Sequence, residues 1–120
     1  MTEVREKLRK SLSRWASSAD QEAKELQEDT VKAGCCPIAD AGDRSRVEVQ
    51  GSLRTVTLRP RGGVPALEAE LYDGSGLLTL VFLGRRRIAG IEPGRAMKVV
   101  GRVGGADGQR IMFNPRYELR

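Results

Sequence analysis

From residue 46 onward the apolar positions recur every second residue, and before residue 34 they recur every third to fifth. Val4, Leu8, Leu12, Trp15, Ala19, Ala23, Leu26 and Val31 line one side of a helix over residues 2–33. Thr2 is a candidate N-cap, with its Glu at position 6 instead of 5, so the capping box is imperfect. Gly34 falls in the C′ place, and Pro37 prevents continuation. Bases gather early in this helix (Arg5, Lys7, Arg9, Lys10, Arg14) and acids late (Glu22, Glu25, Glu28, Asp29), which opposes the helix dipole. Ser11, Ser13, Ser17 and Ser18 lower its propensity further. Such a helix packs on the following domain, pairs with another copy, or frays.

Residues 35–45 read as an irregular linker, after which strands begin. Val47, Val49, Gly51 and Leu53 share one face, and then the parity slips so that Val56 and Leu58 continue it. A one-residue slip in mid-strand is what a β-bulge produces. Pro60, Gly62 and Gly63 turn the chain into a second strand, about 64–72, and Asp73-Gly74-Ser75-Gly76 is a hairpin turn into a third, 77–83. Pairing Tyr72 with Leu77 aligns Leu71, Ala69 and Leu67 with Leu78, Leu80 and Phe82 as the core face. Glu68, Glu70, Tyr72, Leu77, Thr79 and Val81 then face outward. Residues 84–91 read as a short helical link and 92–95 as a turn. A fourth strand over 96–103 places Met97, Val99, Gly101 and Val103 on one face and Lys98, Val100 and Arg102 on the other. After a hairpin at 104–108, a fifth strand over 109–114 is expected to bury Ile111 and Phe113. Pro115 ends its ladder and residues 116–120 trail off.

The expected architecture is therefore all-β: a five-stranded barrel over 46–120, a linker over 35–45, and an N-terminal amphipathic helix within 1–34. No stretch within 44–114 is long enough for a helical crossover between parallel strands, which argues against α/β folds. One domain with an appendage suits 120 residues, and a core of that size needs no metal or disulfide staples.

Charge changes the picture. The net is +5, but residues 1–43 carry seven bases and nine acids, while residues 44–120 carry fourteen bases and seven acids. The second part is thus at +7, and thirteen of its fourteen bases are arginine. Arginine's flat fork grips phosphate bidentately and stacks on bases, so a small domain charged this way favours a polyanionic partner. The competing explanation is a solvated surface in which codon bias replaces lysine by arginine.

Composition also excludes chemistry. There is no histidine, so Ser-His-Asp and Cys-His nucleophile systems are absent. No phosphate-cradling glycine loop occurs, and nothing beyond the neighbouring Glu68 and Glu70 suggests hydrolysis. The expectation is no enzyme and no cofactor. Cys35 and Cys36 are adjacent, a poor arrangement for bridging each other and a poor metal site without histidine. Reduced thiols at the start of the barrel suit a cytoplasmic location, as does an N-terminus without an apolar h-region. No run of 18 apolar residues exists, so no membrane partner is expected.

Four pieces carry a family resemblance: Val47-Glu48-Val49-Gln50-Gly51, Leu71 to Gly76, Ile88 to Gly94, and Val99-Val100-Gly101-Arg102-Val103. Across Val47–Pro115 the chain resembles OB-fold modules of the anticodon-binding and helicase-wedge type. As a whole it is similar to small actinobacterial OB-fold nucleic-acid-binding proteins, the N-terminal helix being unmatched. In such modules ligand crosses the second and third strands between the first-to-second and fourth-to-fifth loops. The resemblance implies DNA or RNA binding, single-stranded or structured, with low sequence specificity.

The candidate contacts are Arg54 near the bulge, Arg59 and Arg61 in the first loop, Tyr72, the Arg85-Arg86-Arg87 triplet, and Lys98 with Arg102 on the fourth strand. The bases are read as phosphate contacts, which position without specifying sequence. The triplet has the alternative of a solvated link, and Tyr72 that of packing on Leu77. Phe82 is either core or a stacking ring. With five aromatics in all and one on the outer face, binding should be weak and salt-sensitive. The second functional reading is a protein-interaction module. It would use exposed Leu77 and Val81 and the Trp15 stripe, with the N-terminal helix docking a partner or a second copy.

Overall fold

A computed structural model describes residues 17–31, 34–105 and 108–120. Over these residues the chain is mostly β, with an α-helix, α1, over residues 17–31 ahead of the strands. Val4, Leu8, Leu12, Trp15, the Thr2 cap and the early basic cluster lie outside the described residues.

The longest strand, β1 (Arg46–Leu58), organises the sheet. Its first half pairs antiparallel with β4 (Ala96–Arg102), from Arg46↔Arg102 to Ser52↔Ala96. Its second half pairs with β2 (Ala66–Tyr72). The register slips between Leu53 and Thr55, so Arg54 is the extra residue of the expected bulge. At the crossover, a Cβ on Gly51 would collide with the Tyr72 carbonyl, so glycine lets the two backbones meet.

The β2–β3 register is the expected one throughout, with β3 spanning Leu77–Leu83. Leu67, Ala69, Leu71, Leu78, Leu80 and Phe82 are all buried. Phe82 is therefore core, and the Tyr117 ring meets it edge-on with centroids 5.7 Å apart. Asp73 explains the hairpin. Its fully buried carboxylate accepts from the Ser75 and Gly76 amides and the Ser75 hydroxyl. It also accepts from the Ile38 amide at 2.7 Å, in a 3₁₀ turn over Ile38–Asp40. The linker is thereby tied to the sheet.

Four expectations are corrected. First, β5 (Ile111–Phe113) runs parallel to β3 and buries Met112, opposite Leu80, not Ile111 and Phe113. The bare Gly101 leaves room for the Met112 sulfur, which a Cβ there would meet at 2.8 Å. Second, residues after Pro115 do not trail off: β6 (Arg116–Leu119) pairs antiparallel with β4. Third, residues 84–91 form no helix; buried Ile88 and Ile91 are joined by a turn with Gly90 at φ +84°. A Cβ on Gly90 would strike Leu119 Cδ1 at 2.5 Å, so this turn and β6 share one space. Fourth, Leu58 is half-exposed while Val81, expected outside, is fully buried. The register sets Val81 between Glu68 and Phe113, and Arg61 roofs these two.

The result is a six-stranded mixed sheet in the order β5-β3-β2-β1-β4-β6, not a closed five-stranded barrel. Just beyond β4, Gly104 pairs with Ile111 of β5 in an isolated bridge of two hydrogen bonds, both 2.7 Å. The inner face and the 84–91 link still enclose one core that runs from Ile38 to Met112.

α1 lies against the outside. Ala23 and Leu26 are half-buried, Thr30 is 2% exposed, and Val31 is 73% exposed. The expected stripe thus holds at Ala23 and Leu26 and fails at Ala19 and Val31, where the polar Thr30 docks instead. Gly34, at φ +71°, ends the helix as expected, its amide bonding the Val31 carbonyl.

Candidate nucleic-acid interface

The pleat decides what the outer face offers. Thr55 and Thr57 of β1, Glu68 and Glu70 of β2, Thr79 of β3 and Ile111 of β5 surround a cleft of about 280 Å³. Arg59, Arg61 and Gln109 complete its rim from the flanking loops. This is a polar cleft on the second and third strands, bounded by the β1–β2 loop and the segment leading into β5.

The candidate basic residues fall into three groups. Arg59 and Arg61 stand in the β1–β2 loop, which is pinched by reciprocal Arg61 and Val64 backbone bonds of 2.8 and 3.0 Å. Arg61 is already engaged: Nη2 lies 2.7 Å from Glu68 Oε1, Nε donates to the same oxygen, and the guanidinium sits 5.5 Å from the Phe113 ring centre. Arg85, Arg86 and Arg87 are exposed in the link after β3. The Gly84 amide donates to the Pro65 carbonyl at 2.7 Å, so the triplet emerges at the same end of the sheet as Arg59 and Arg61.

The second group is Arg54 with Tyr72. The bulge swings Arg54 out so that its guanidinium lies 4.4 Å from the half-exposed Tyr72 ring. Its Nη2 is 3.1 Å from Glu22 Oε1 of α1. The Tyr72 ring thus carries an arginine on its face, and Leu77, its cross-strand partner, is 50% exposed.

Lys98 and Arg102 form the third group and do not join the cleft. They lie on β4, on the far side of β1 from β2 and β3. Lys98 Nζ is 2.6 Å from Glu48 Oε1, and that hydrogen bond pushes the ammonium pKa up. Arg102 Nη1 donates to the Arg44 carbonyl.

Sequence reasoning missed Phe113, half-exposed on the outer face beside Arg61. It also missed the threonines that floor the cleft. A polar outer residue flanked by apolar inner ones was the available signal for Thr55, Thr57 and Thr79. Phe113 carried none, because Ile111, Met112 and Phe113 are all apolar.

Cys35 is buried, and burial is the main reason its thiol pKa is raised; Cys36 is half-buried and contacts the Pro37 carbonyl. Among the described residues no three His, Cys, Asp or Glu side chains converge to hold a metal ion. No helix among them is long and apolar enough to cross a membrane.

Set against models of known protein families and against curated proteins, the chain matches none significantly.

Proposed function

We propose that this chain is a non-catalytic nucleic-acid-binding module of the OB type, taking single-stranded or structured DNA or RNA with little sequence preference. The OB barrel is a partly open five-stranded Greek-key barrel that binds oligomers across its second and third strands. The strand path supports that reading: β1 is shared between β2 and β4, and β5 returns beside β3 to a bridge just beyond β4. On this reading β6 is an addition outside the barrel.

The observation that carries the proposal is that two arginine-bearing loops leave the sheet at the same end, the end where Arg59 and Arg61 rim the outer cleft. Arg59 and Arg61 come from one loop and Arg85–Arg87 from the other, coupled through Gly84 and Pro65. Arg59 lines the cleft beside the Glu68-bound Arg61, and Arg85–Arg87 emerge at the same end of the sheet, so together they offer a phosphate-binding edge whose contacts are independent of sequence. Glu68 is neutralised by Arg61, which reduces its repulsion of a phosphate chain.

The test is fluorescence anisotropy of labelled single-stranded and duplex oligonucleotides at several salt concentrations. Log affinity should fall linearly with log salt. Replacing Arg85, Arg86 and Arg87 together by alanine should weaken binding at least tenfold at low salt and flatten the slope by about three phosphate equivalents. No binding at low salt would overturn the proposal. The second reading, a protein-interaction module, rests on the exposed Leu77 and Val31. It loses Val81, and it requires binding that salt barely affects.

A further inference from the structure

α1 is acidic where the sheet is basic. Over residues 17–31 it carries Asp20, Glu22, Glu25, Glu28 and Asp29 against Lys24 alone. Where it meets the sheet it holds one of the candidate contacts named above, Arg54, and through it affects a second, Tyr72. Glu22 takes the Arg54 fork at 3.1 Å, and Arg54 in turn occupies a face of the Tyr72 ring. A carboxylate therefore stands where a phosphate would bind, and a guanidinium stands where a base would stack.

The docking is shallow. Of the fifteen residues 17–31 only Thr30 is buried, with Ala23 and Leu26 half-buried. Beyond the ion pair, its polar anchors are the Gln27 amide on the Gly74 carbonyl, 2.8 Å, and the Thr30 hydroxyl, which shares its proton between the Leu26 carbonyl of the same helix at 3.0 Å and the Gln50 carbonyl of the sheet at 3.3 Å. The Ala23 carbonyl packs so closely on Gly74 that no Cβ would fit there. The hairpin turn at the Tyr72 end of the outer face is thus covered by a weakly held, negatively charged element.

We propose that α1 is an internal competitor of nucleic acid, and that binding at the Tyr72 end exchanges the Glu22 carboxylate on Arg54 for a phosphate and displaces the helix. This rests on the nucleic-acid reading above and assigns a regulation to that site. It makes the helix a threshold: weak polyanions leave it docked, and only a strand that also engages the arginine loops dislodges it.

The test measures the affinity of the full chain for labelled oligothymidylate by anisotropy, in wild type, Glu22→Gln and Glu25→Gln. Glu25 accepts from Gln21 on its own helix, so it controls for the general field of an acidic residue. An exposed ion pair of this kind corresponds to about a two- to fivefold effect. Glu22→Gln should tighten binding by that factor and Glu25→Gln by clearly less. With Arg54→Ala already present, Glu22→Gln should add no more than Glu25→Gln. Amide exchange over residues 17–31 in the wild type should speed up when the oligonucleotide is added. Binding with equal effects of the two glutamate variants, or with unchanged helix exchange, overturns the competitor and leaves the nucleic-acid reading standing. If no variant binds, both fall.

Discussion

The helix and the sheet of this chain are held by different physics. The sheet buries a continuous apolar face, with Val49, Leu71, Leu78, Leu80, Met97, Val99 and Met112 all fully out of water. α1 instead rests on an ion pair, two polar anchors and the half-buried Ala23 and Leu26. Burial is non-directional and scales with area, so the sheet tolerates little loss and stays put. Exposed polar contacts contribute little and are screened by salt, so the helix can exchange partners. Within one chain, the deeply buried part and the lightly buried part are separated by the kind of interaction each uses.

The largest expected effect measures that difference directly. Leu80→Ala removes a fully buried side chain at the centre of the sheet and should cost about 3 kcal/mol in urea unfolding. Leu26→Ala, half-buried on α1, should cost about 1 kcal/mol or less. Equal costs would mean that the helix is part of the core, and the comparison would fail.

Asp73→Ala comes next, because Asp73 ties the linker that runs between the two regions to the sheet. Its loss strands the Ile38 and Gly76 amides and unties the linker from the hairpin, at a cost of about 2 kcal/mol. The same substitution should raise amide exchange over residues 38–41 more than over β4. If β4 opened equally, Asp73 would serve the whole sheet instead of the junction.

The two regions were also unequally legible in sequence. The bulge at Arg54 and the whole β2–β3 register were readable, because polar residues alternate with apolar ones in β1 and β2 and the Asp73-Gly74-Ser75-Gly76 turn sets β3 against β2. β5 was misread because three successive apolar residues have no parity; the parallel partner that sets it is over thirty positions away in sequence, at Thr79–Val81. The spacing of Ile88 and Ile91 mimics a helical turn, and only tertiary packing against Leu119 shows it to be an anchored loop. β6 was hidden because Arg116-Tyr117-Glu118-Leu119 is mostly polar and follows a proline. For the site, sequence placed Arg59 and Arg61 in a loop and Arg85–Arg87 in a helical link but could not bring the two segments together. It grouped Lys98 and Arg102 with them because strand order across the sheet is not written locally. The Glu22–Arg54–Tyr72 stack was invisible for the same reason: it joins three segments far apart in the chain.

The smallest expected effect is on pH, and it also sits at a junction. The Cys35 thiol is raised above its usual 9.0, chiefly by burial, with Lys98 and Glu48 nearby. Lys98 is raised above its usual 10.5, chiefly by its hydrogen bond to Glu48. Both shifts favour the protonated form in the folded state. Each contribution is therefore complete below the group's unfolded value and is lost as pH rises through the higher folded value. Stability should hold through neutral pH and begin to fall above about 9, first from Cys35 and then from Lys98. Cys35→Ala should flatten the first part of that decline, and Lys98→Met the second. The pH dependence of the urea midpoint in the three proteins checks this. A wild-type decline that starts at acid pH, or one that neither substitution alters, would place the controlling charges elsewhere than where α1's end meets β1 and β4.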